Sequence, residues 1–254
     1  MKMNLFDFKN TCAIVTGGAR GIGRIGAEAF IEAGSNVIIA DIDIDTAQKT
    51  ANELESANSK VIAIRTDVTV PQSVKAMVSQ VLDHFGKIDI LFNNAGICIN
   101  EPAETMSFAS WKRVIDINLT GIFLVAQEVG KIMIQQKYGS IINTASMSAH
   151  IVNYPQPQCG YNASKAGVIQ LTKSLAVEWA PYHVRVNSIS PGYIATEMTK
   201  KAQADWKDEW IKRGVYKRMG KPKELQSALL YFASSASSFT TGADLVIDGG
   251  FTSV

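Results

Sequence analysis

Thiols are scarce in this chain. Cys12, Cys98 and Cys159 are the only cysteines in 254 residues. They are odd in number and widely scattered, so neither a disulfide framework nor a zinc cluster is expected. Such usage suits a reducing compartment, and a cytoplasmic location is the expectation. The opening MKMNLFDFKN has no apolar core and no small-residue cleavage site, so no signal peptide is read there. No apolar stretch reads as long enough to span a bilayer, which leaves no expected membrane partner. Charge of one sign is lacking too. Lys and Arg total 25 against 23 for Asp and Glu, a net charge of +2, so nothing electrostatic calls for nucleic acid.

Several reactive signatures are also missing. No serine sits in a G-x-S-x-G elbow, although Ser146, His183 and many aspartates are present. Gly86-Lys87, Gly130-Lys131 and Gly220-Lys221 are followed by Ile88, Ile132 and Pro222, so none is a triphosphate loop. No H-E-x-x-H occurs, and no ligand cluster marks a metal; Val254 could offer only its terminal carboxylate.

What is present is rhythm. Short apolar, β-branched runs fall at residues 12–16, 36–40, 60–65, 89–92, 140–144, 184–189 and 244–247. Runs apolar throughout are those of strands buried on both faces, as in a parallel sheet covered by helices. Amphipathic stretches alternate with them. Helices are expected over 22–33, ending at Gly34 as a C′ residue, over 70–85 with Pro71 near its start and Asp67 and Thr69 as caps, and over 108–136 and 160–180. This alternation predicts one α/β domain over residues 1–254, a doubly wound parallel sheet of seven strands. One polar segment, 197–213, carries Met198, Ala202, Trp206 and Trp210 at helical spacing. It reads either as a surface helix packing an apolar stripe or, with its flanks at 193–215, as a lid over a ligand outside the carboxyl ends of the strands.

The first strand runs into Thr16-Gly17-Gly18-Ala19-Arg20-Gly21-Ile22-Gly23 and then a helix. Glycines there let backbone approach a pyrophosphate, and the helix N-terminus offers N–H donors. The overlapping Gly21, Gly23 and Gly26 triplet is not used, because Gly26 would lie inside the helix. Asp41 ends the second run, where a carboxylate accepts hydrogen bonds from a ribose and repels a 2′-phosphate. Arg20 points the other way, but is free to swing into solvent; NAD is therefore expected over NADP. Asp67 and Val68 are placed to flank an adenine, Asp67 at its amino group and Val68 against its face. Asn93-Asn94-Ala95-Gly96 suits a strand-end turn near the cofactor.

Tyr161 and Lys165 are four apart on an expected helix and share a face. An ammonium there favours the phenolate and lowers the phenol pKa, so that Tyr161 exchanges a proton with an alcohol or carbonyl oxygen as hydride moves. Lys165 would also hold the nicotinamide ribose. Ser146, just past a strand end, would stabilise the substrate oxygen. Asn118 is a poor interior helix former and needs a reason; a kink would free its carbonyl for a water leading from Lys165 to solvent.

Taken together, Thr16-Gly17-x-x-x-Gly21-x-Gly23, Asn93-Asn94-Ala95-Gly96, Asn118, Ser146, Tyr161-x-x-x-Lys165 and Pro191-Gly192 resemble the short-chain dehydrogenase/reductase family in order and spacing, over residues 6–250. The resemblance implies a Rossmann fold of strand order 3-2-1-4-5-6-7, an Asn-Ser-Tyr-Lys tetrad, and a homotetramer. It also implies that Pro191, Gly192, Ile194 and Thr196 border the cofactor, the last two at the nicotinamide carboxamide.

The stretch from Ser146 to Gln156 is similar to that of bacterial polyol dehydrogenases of the galactitol type. By that similarity Ser148 and Asn153, with Ser146 and Tyr161, would bind substrate hydroxyls, and a polyol/ketose pair is the expected substrate. Ser148 and Asn153 equally suit holding a loop together, and His150, Tyr154, Gln156 and Gln158 share both readings. A steroid, a simple ketone or a 3-oxoacyl thioester remain alternatives, as does a nucleotide-binding protein without catalysis.

Overall fold

The fold is known from a computed structural model, which describes residues 6–56, 59–200 and 202–254. The strands are β1 (Cys12–Thr16), β2 (Asn36–Asp41), β3 (Val61–Arg65), β4 (Ile90–Asn93), β5 (Gly139–Thr144), β6 (Val184–Pro191) and β7 (Asp244–Ile247). The helices are α1 (Gly21–Glu32), α2 (Ile44–Leu54), α3 (Pro71–Phe85), α4 (Phe108–Ile115), α5 (Gly121–Gln136), α6 (Cys159–Trp179), α7 (Glu197–Lys200), α8 (Ala204–Arg213) and α9 (Gln226–Ala233). All strand pairs are parallel, in the order β3-β2-β1-β4-β5-β6-β7. The predicted Rossmann arrangement is thus observed.

The apolar runs are explained by what covers them. Ile14, Ile38, Leu91 and Ile141 point to one face, against Val74 of α3, Val125 of α5 and Leu175 of α6. Ala13, Val15, Val37, Ile39, Ile90 and Phe92 point to the other, against Phe30 of α1, Ala47 of α2 and Leu229 of α9. Each strand feeds two cores, so no polar alternation survives in it. Strand order reverses between β1 and β4, where the crossovers leave to opposite faces and a crevice opens at the carboxyl ends.

Helix ends follow local chemistry. After α1, Gly34 takes φ +98°; its N–H reaches Ile31 O, and that of Ser35 reaches Phe30 O. These two bonds close a Schellman turn. The Asp43 side chain caps α2 by accepting from Thr46 N at 3.2 Å. The expected caps on α3 are corrected. Asp67 Oδ1 instead accepts from Thr69 N and Oγ1, at 2.9 and 2.7 Å, in a tight turn. The residue preceding α3, Val70, makes no side-chain cap.

Three other expectations change. The single helix over 108–136 is interrupted at Asp116–Thr120 by a π-helical turn, and Asn118 at its centre is fully buried. That 29-residue stretch is also long and apolar enough to cross a membrane by length and composition, contrary to the sequence reading. Here it packs Val114, Ile122, Val125, Val129 and Met133 inside the protein. The segment 197–213 forms two short helices, not one. Trp210 is buried while Met198 is half exposed, so the proposed stripe is not continuous. The reason is a tertiary contact: Trp210 lies flat against Tyr193, ring centroids 4.1 Å apart and planes 7° apart.

Gly26 shows how closely α1 approaches the sheet. A Cβ there would fall 2.6 Å from two ring atoms of Phe92, which has no solvent exposure with which to retreat. Overpacking of this kind costs roughly 1–3 kcal/mol, partly offset by the better helix propensity of alanine. Gly26→Ala should lower the thermal unfolding midpoint, by roughly 2–6 °C. A midpoint at or above that of the unaltered protein would show that α1 has room to move.

Candidate active site

The crevice is built from strand ends. Thr16, Asn93 and Asn143 stand side by side on β1, β4 and β5. Thr16 Oγ1 accepts from the backbone N–H of Asn94 and Ala95, at 2.9 and 3.1 Å. Asn94 Nδ2 donates to Thr16 O and Gly17 O, at 3.2 and 3.3 Å. The turn after β4 is thereby fastened to the glycine loop after β1. That loop needs its glycines: Gly17 and Gly21 have φ of +62° and +58°, and a Cβ on Gly23 would fall 2.1 Å from Gly17 O. The N-cap of α1, Arg20, makes no side-chain capping bond, so the helix presents its first amides outward. This is a cradle of backbone donors shaped for a pyrophosphate, and the residues present fit a dinucleotide.

Around it lie the other residues read as cofactor contacts. Asp41 Oδ2 accepts from Ala19 N and its Oδ1 from Asp43 N, each at 3.1 Å, so the carboxylate is fixed beside the loop. Arg20, expected to be free, is instead ion-paired to Asp43. Val68 packs into the core and touches Gly121. Ile22 is partly buried against the α1 side of the sheet. Past β6, Gly192 donates to Ile247 O at 3.0 Å, and Ile194 is buried, bridged to Gly220. Thr196 comes within 4.0 Å of a Cβ placed on Gly21. The loop after β6 therefore reaches back across the mouth of the crevice to the glycine loop.

Opposite the cradle stand the four expected catalytic side chains. Asn118 Nδ2 donates to Ile97 O and Ser164 Oγ, at 2.9 and 3.1 Å, and its Oδ1 accepts from Ile97 N at 2.8 Å. The π turn thus clasps the post-β4 turn and α6 together through one side chain. Lys165 Nζ donates to Thr144 O at 2.6 Å and lies 5.7 Å from the Tyr161 ring centroid. A Cβ on Gly96 would sit 3.3 Å from Asn118 Oδ1 and 3.5 Å from Lys165 Nζ, which places all three at one spot. Ser146 Oγ donates to Ser148 Oγ at 3.1 Å and is near enough to the Tyr161 hydroxyl to lower its pKa.

The electrostatics correct one expectation. Burial pushes the Tyr161 phenol above its ordinary value; Ser146 pulls down with a smaller effect. Burial also brings the Lys165 ammonium down to about 8. The ammonium was expected to draw the phenol down, but loss of water around the hydroxyl dominates. A phenol so held favours its protonated form.

On the substrate side, Tyr193, Trp210 and Cys98, which sequence reasoning did not assign there, join the candidates Gln156 and Gln158. Tyr193 OH accepts from Asn153 Nδ2 and Gln156 Nε2, each at 3.0 Å. Trp210 Nε1 donates to Gln156 Oε1 at 3.0 Å. Gln158 Nε2 faces Ser148, Asn153 and Asn162. Cys98 lies among these groups, its thiol raised to about 11 by burial. Tyr193 directly follows Pro191-Gly192 and Cys98 stands two residues beyond Gly96. Adjacency to those motifs was the available signal. His150 turns away, to Asp244 Oδ2 at 2.8 Å, and Tyr154 packs under the Arg213 guanidinium at 4.7 Å.

Lys165 yields a stability prediction with a definite sign. Below about 8 both folded and unfolded chains carry its charge, and the folded state bears the whole cost of burying it. Between about 8 and the ordinary 10.5 only the unfolded chain keeps the proton, so stability rises with pH across that window. Lys165→Met should melt higher than the unaltered protein at neutral pH, by roughly 5 °C. The gap should narrow as pH climbs through the same window. A variant that melts lower at neutral pH, by a pH-independent margin, would contradict this.

Comparison with known proteins gives the family. Residues 17–252 match the family described as enoyl-(acyl carrier protein) reductase. A D-arabinitol 2-dehydrogenase (ribulose-forming) of Scheffersomyces stipitis is 40% identical over 264 residues, spanning 97% of this chain and 95% of its own. A probable NADP-dependent mannitol dehydrogenase of Yarrowia lipolytica is 41% identical, spanning 98% of this chain and 90% of its own. A short-chain type dehydrogenase/reductase structure from Mycobacterium marinum superposes with a TM-score of 0.95 at 45% identity, covering 98% of both chains. The chain belongs to the short-chain dehydrogenase/reductase family and is an NAD(P)-dependent oxidoreductase acting on CH–OH groups.

Proposed function

We propose that the protein interconverts a polyol and its ketose with NAD as the hydride carrier. The observation that carries this reading is the wall beside Tyr161. Ser148, Asn153, Gln156 and Gln158 are each 4–7% exposed, and together with Tyr193 they form one uncharged hydrogen-bonding network. Buried amides and hydroxyls suit a ligand rich in hydroxyls and fit poorly around an acyl chain or a steroid. No Lys or Arg lies within residues 146–158 to hold a phosphate. Two relatives that carry polyol names support the same class.

The dinucleotide would lie on Gly17, Arg20, Gly21, Ile22 and Gly23, with Asp41 at its ribose and Asp67 and Val68 at its adenine. Asn94, Ala95 and Gly96 would form the floor, and Pro191, Gly192, Ile194 and Thr196 the nicotinamide end. When bound, it supplies the acceptor for the hydride leaving the alcohol carbon. Ser146 orients the alcohol oxygen. Tyr161, as phenolate, takes the hydroxyl proton; in the reverse direction the phenol returns it to the carbonyl oxygen. Lys165 favours the phenolate while it exists, and Asn118 holds α6 and the post-β4 turn in register.

Asp41 and Asp43 outnumber the one guanidinium between them, a local balance that opposes a 2′-phosphate and favours NAD. The segment 193–215 forms the lid, latched by the Tyr193–Trp210 stack. Phe108, Trp111 and Phe123 present apolar surface on α4 and α5, which suits burial against further copies in a homotetramer.

Initial rates of cofactor reduction across pentitols, hexitols and simple secondary alcohols, each with NAD and NADP, test the reading. Polyols with NAD should give the highest kcat/KM. Asp41→Ala should lower the NAD-to-NADP preference by about tenfold or more. Turnover of simple alcohols alone would overturn the substrate class, and preference for NADP in the unaltered protein would overturn the role of Asp41.

A further inference from the structure

Gln158 stands immediately before α6, three residues ahead of Tyr161, and is 7% exposed. Its amide nitrogen faces three oxygens: Asn162 Oδ1 at 2.8 Å, Asn153 Oδ1 at 3.0 Å and Ser148 Oγ at 3.3 Å. An amide nitrogen has two protons to share among these three acceptors. On the other side, the one donor facing Gln158 Oε1 among the described residues is the Cys98 thiol, a weak donor, at 3.8 Å. Through Ser148 Oγ, which accepts from both, the Gln158 amide stands two hydrogen bonds from Ser146 Oγ. Ser148 Oγ accepts from Ser146 and from Gln158, and its own proton has no acceptor among the described residues.

The cluster is fixed from behind. Trp210 has only an N–H to give, which sets Gln156 with its oxygen toward the indole and its nitrogen toward Tyr193. Asn153 is held between Tyr193 and Gln158. A buried group that is short of a donor on one atom and holds a spare proton on the next is complementary to a hydroxyl, which both gives and accepts. Ser148 Oγ lies one hydrogen bond, 3.1 Å, from Ser146 Oγ, the scale on which hydroxyls of neighbouring carbons are spaced.

We propose that Gln158 is a specificity-determining residue that reads the hydroxyl on the carbon next to the reacting one. Its Oε1 accepts that hydroxyl's proton while Ser148 donates to the hydroxyl oxygen. This rests on the polyol reading above and adds to it the residue that separates polyols from monohydroxy alcohols. Ketones and thioesters bring no donor for Oε1 and leave it unpaired, and sites that hydrogen-bond a substrate hydroxyl discriminate strongly against analogues without it.

The test compares kcat/KM for a polyol with that for its analogue lacking the neighbouring hydroxyl, in the unaltered full-length protein, Gln158→Met and Gln158→Asn. The polyol-to-analogue ratio should fall by about tenfold or more in Gln158→Met, mainly through KM on the polyol. Gln158→Asn keeps an amide but withdraws it from the pocket; it should lower the ratio by about threefold or more, and it decides the matter if the methionine variant does not fold. Parallel losses on both substrates, with the ratio kept within about twofold, would overturn the proposal by showing a merely structural role. An unaltered protein that oxidises monohydroxy alcohols but no polyol would overturn the polyol reading and this proposal together. One that favours polyols, with a ratio indifferent to Gln158, would overturn this proposal alone.

Discussion

A positive charge almost without access to water must be held by something, and here it is the main-chain carbonyl of Thr144, 2.6 Å from Lys165 Nζ. Thr144 is the last residue of β5, so the ammonium is tied to the carboxyl end of the sheet and not to a loop. The rest of the site follows from that tie. Tyr161 rises one helical turn earlier from the same helix, Ser146 follows two residues beyond the carbonyl, and Gly96 has no side chain because Lys165 and Asn118 fill the space above it. The cost of the buried ammonium is met by the packing of a doubly covered sheet, in which strand after strand contributes to two cores.

Much of this was legible in the sequence because it rests on short-range chemistry. Runs without polar alternation announced buried parallel strands, and the register placed Thr16, Asn93 and Asn143 abreast. Asn118 was conspicuous as an amide inside a helix, and its position is a π turn. The irregularity expected there takes the form of that π turn, and its visible effect lies in the side chain, which pairs with both main-chain groups of Ile97.

What could not be read depended on tertiary contact. The burial of Trp210 comes with its stack on Tyr193, a pairing that helical periodicity cannot show. The capping residues of α3 failed because Asp67 found a nearer partner in Thr69. The error over Tyr161 is the most instructive. Spacing of four residues put an ammonium near the phenol, but only the fold shows how little water remains at the hydroxyl, and desolvation prevails. The pocket wall was half visible: Ser148, Asn153, Gln156 and Gln158 were named, whereas Tyr193 and Trp210 join them only once separate segments meet.

The central claim is that Tyr161 moves the proton and is not needed to bind the dinucleotide. It is tested most directly by Tyr161→Phe, with cofactor affinity followed by fluorescence titration and turnover measured on the best alcohol substrate. The account predicts cofactor affinity within about threefold of the unaltered protein and a loss of about a thousandfold in kcat. Turnover within about tenfold of the unaltered protein would contradict it and move the proton transfer to another group.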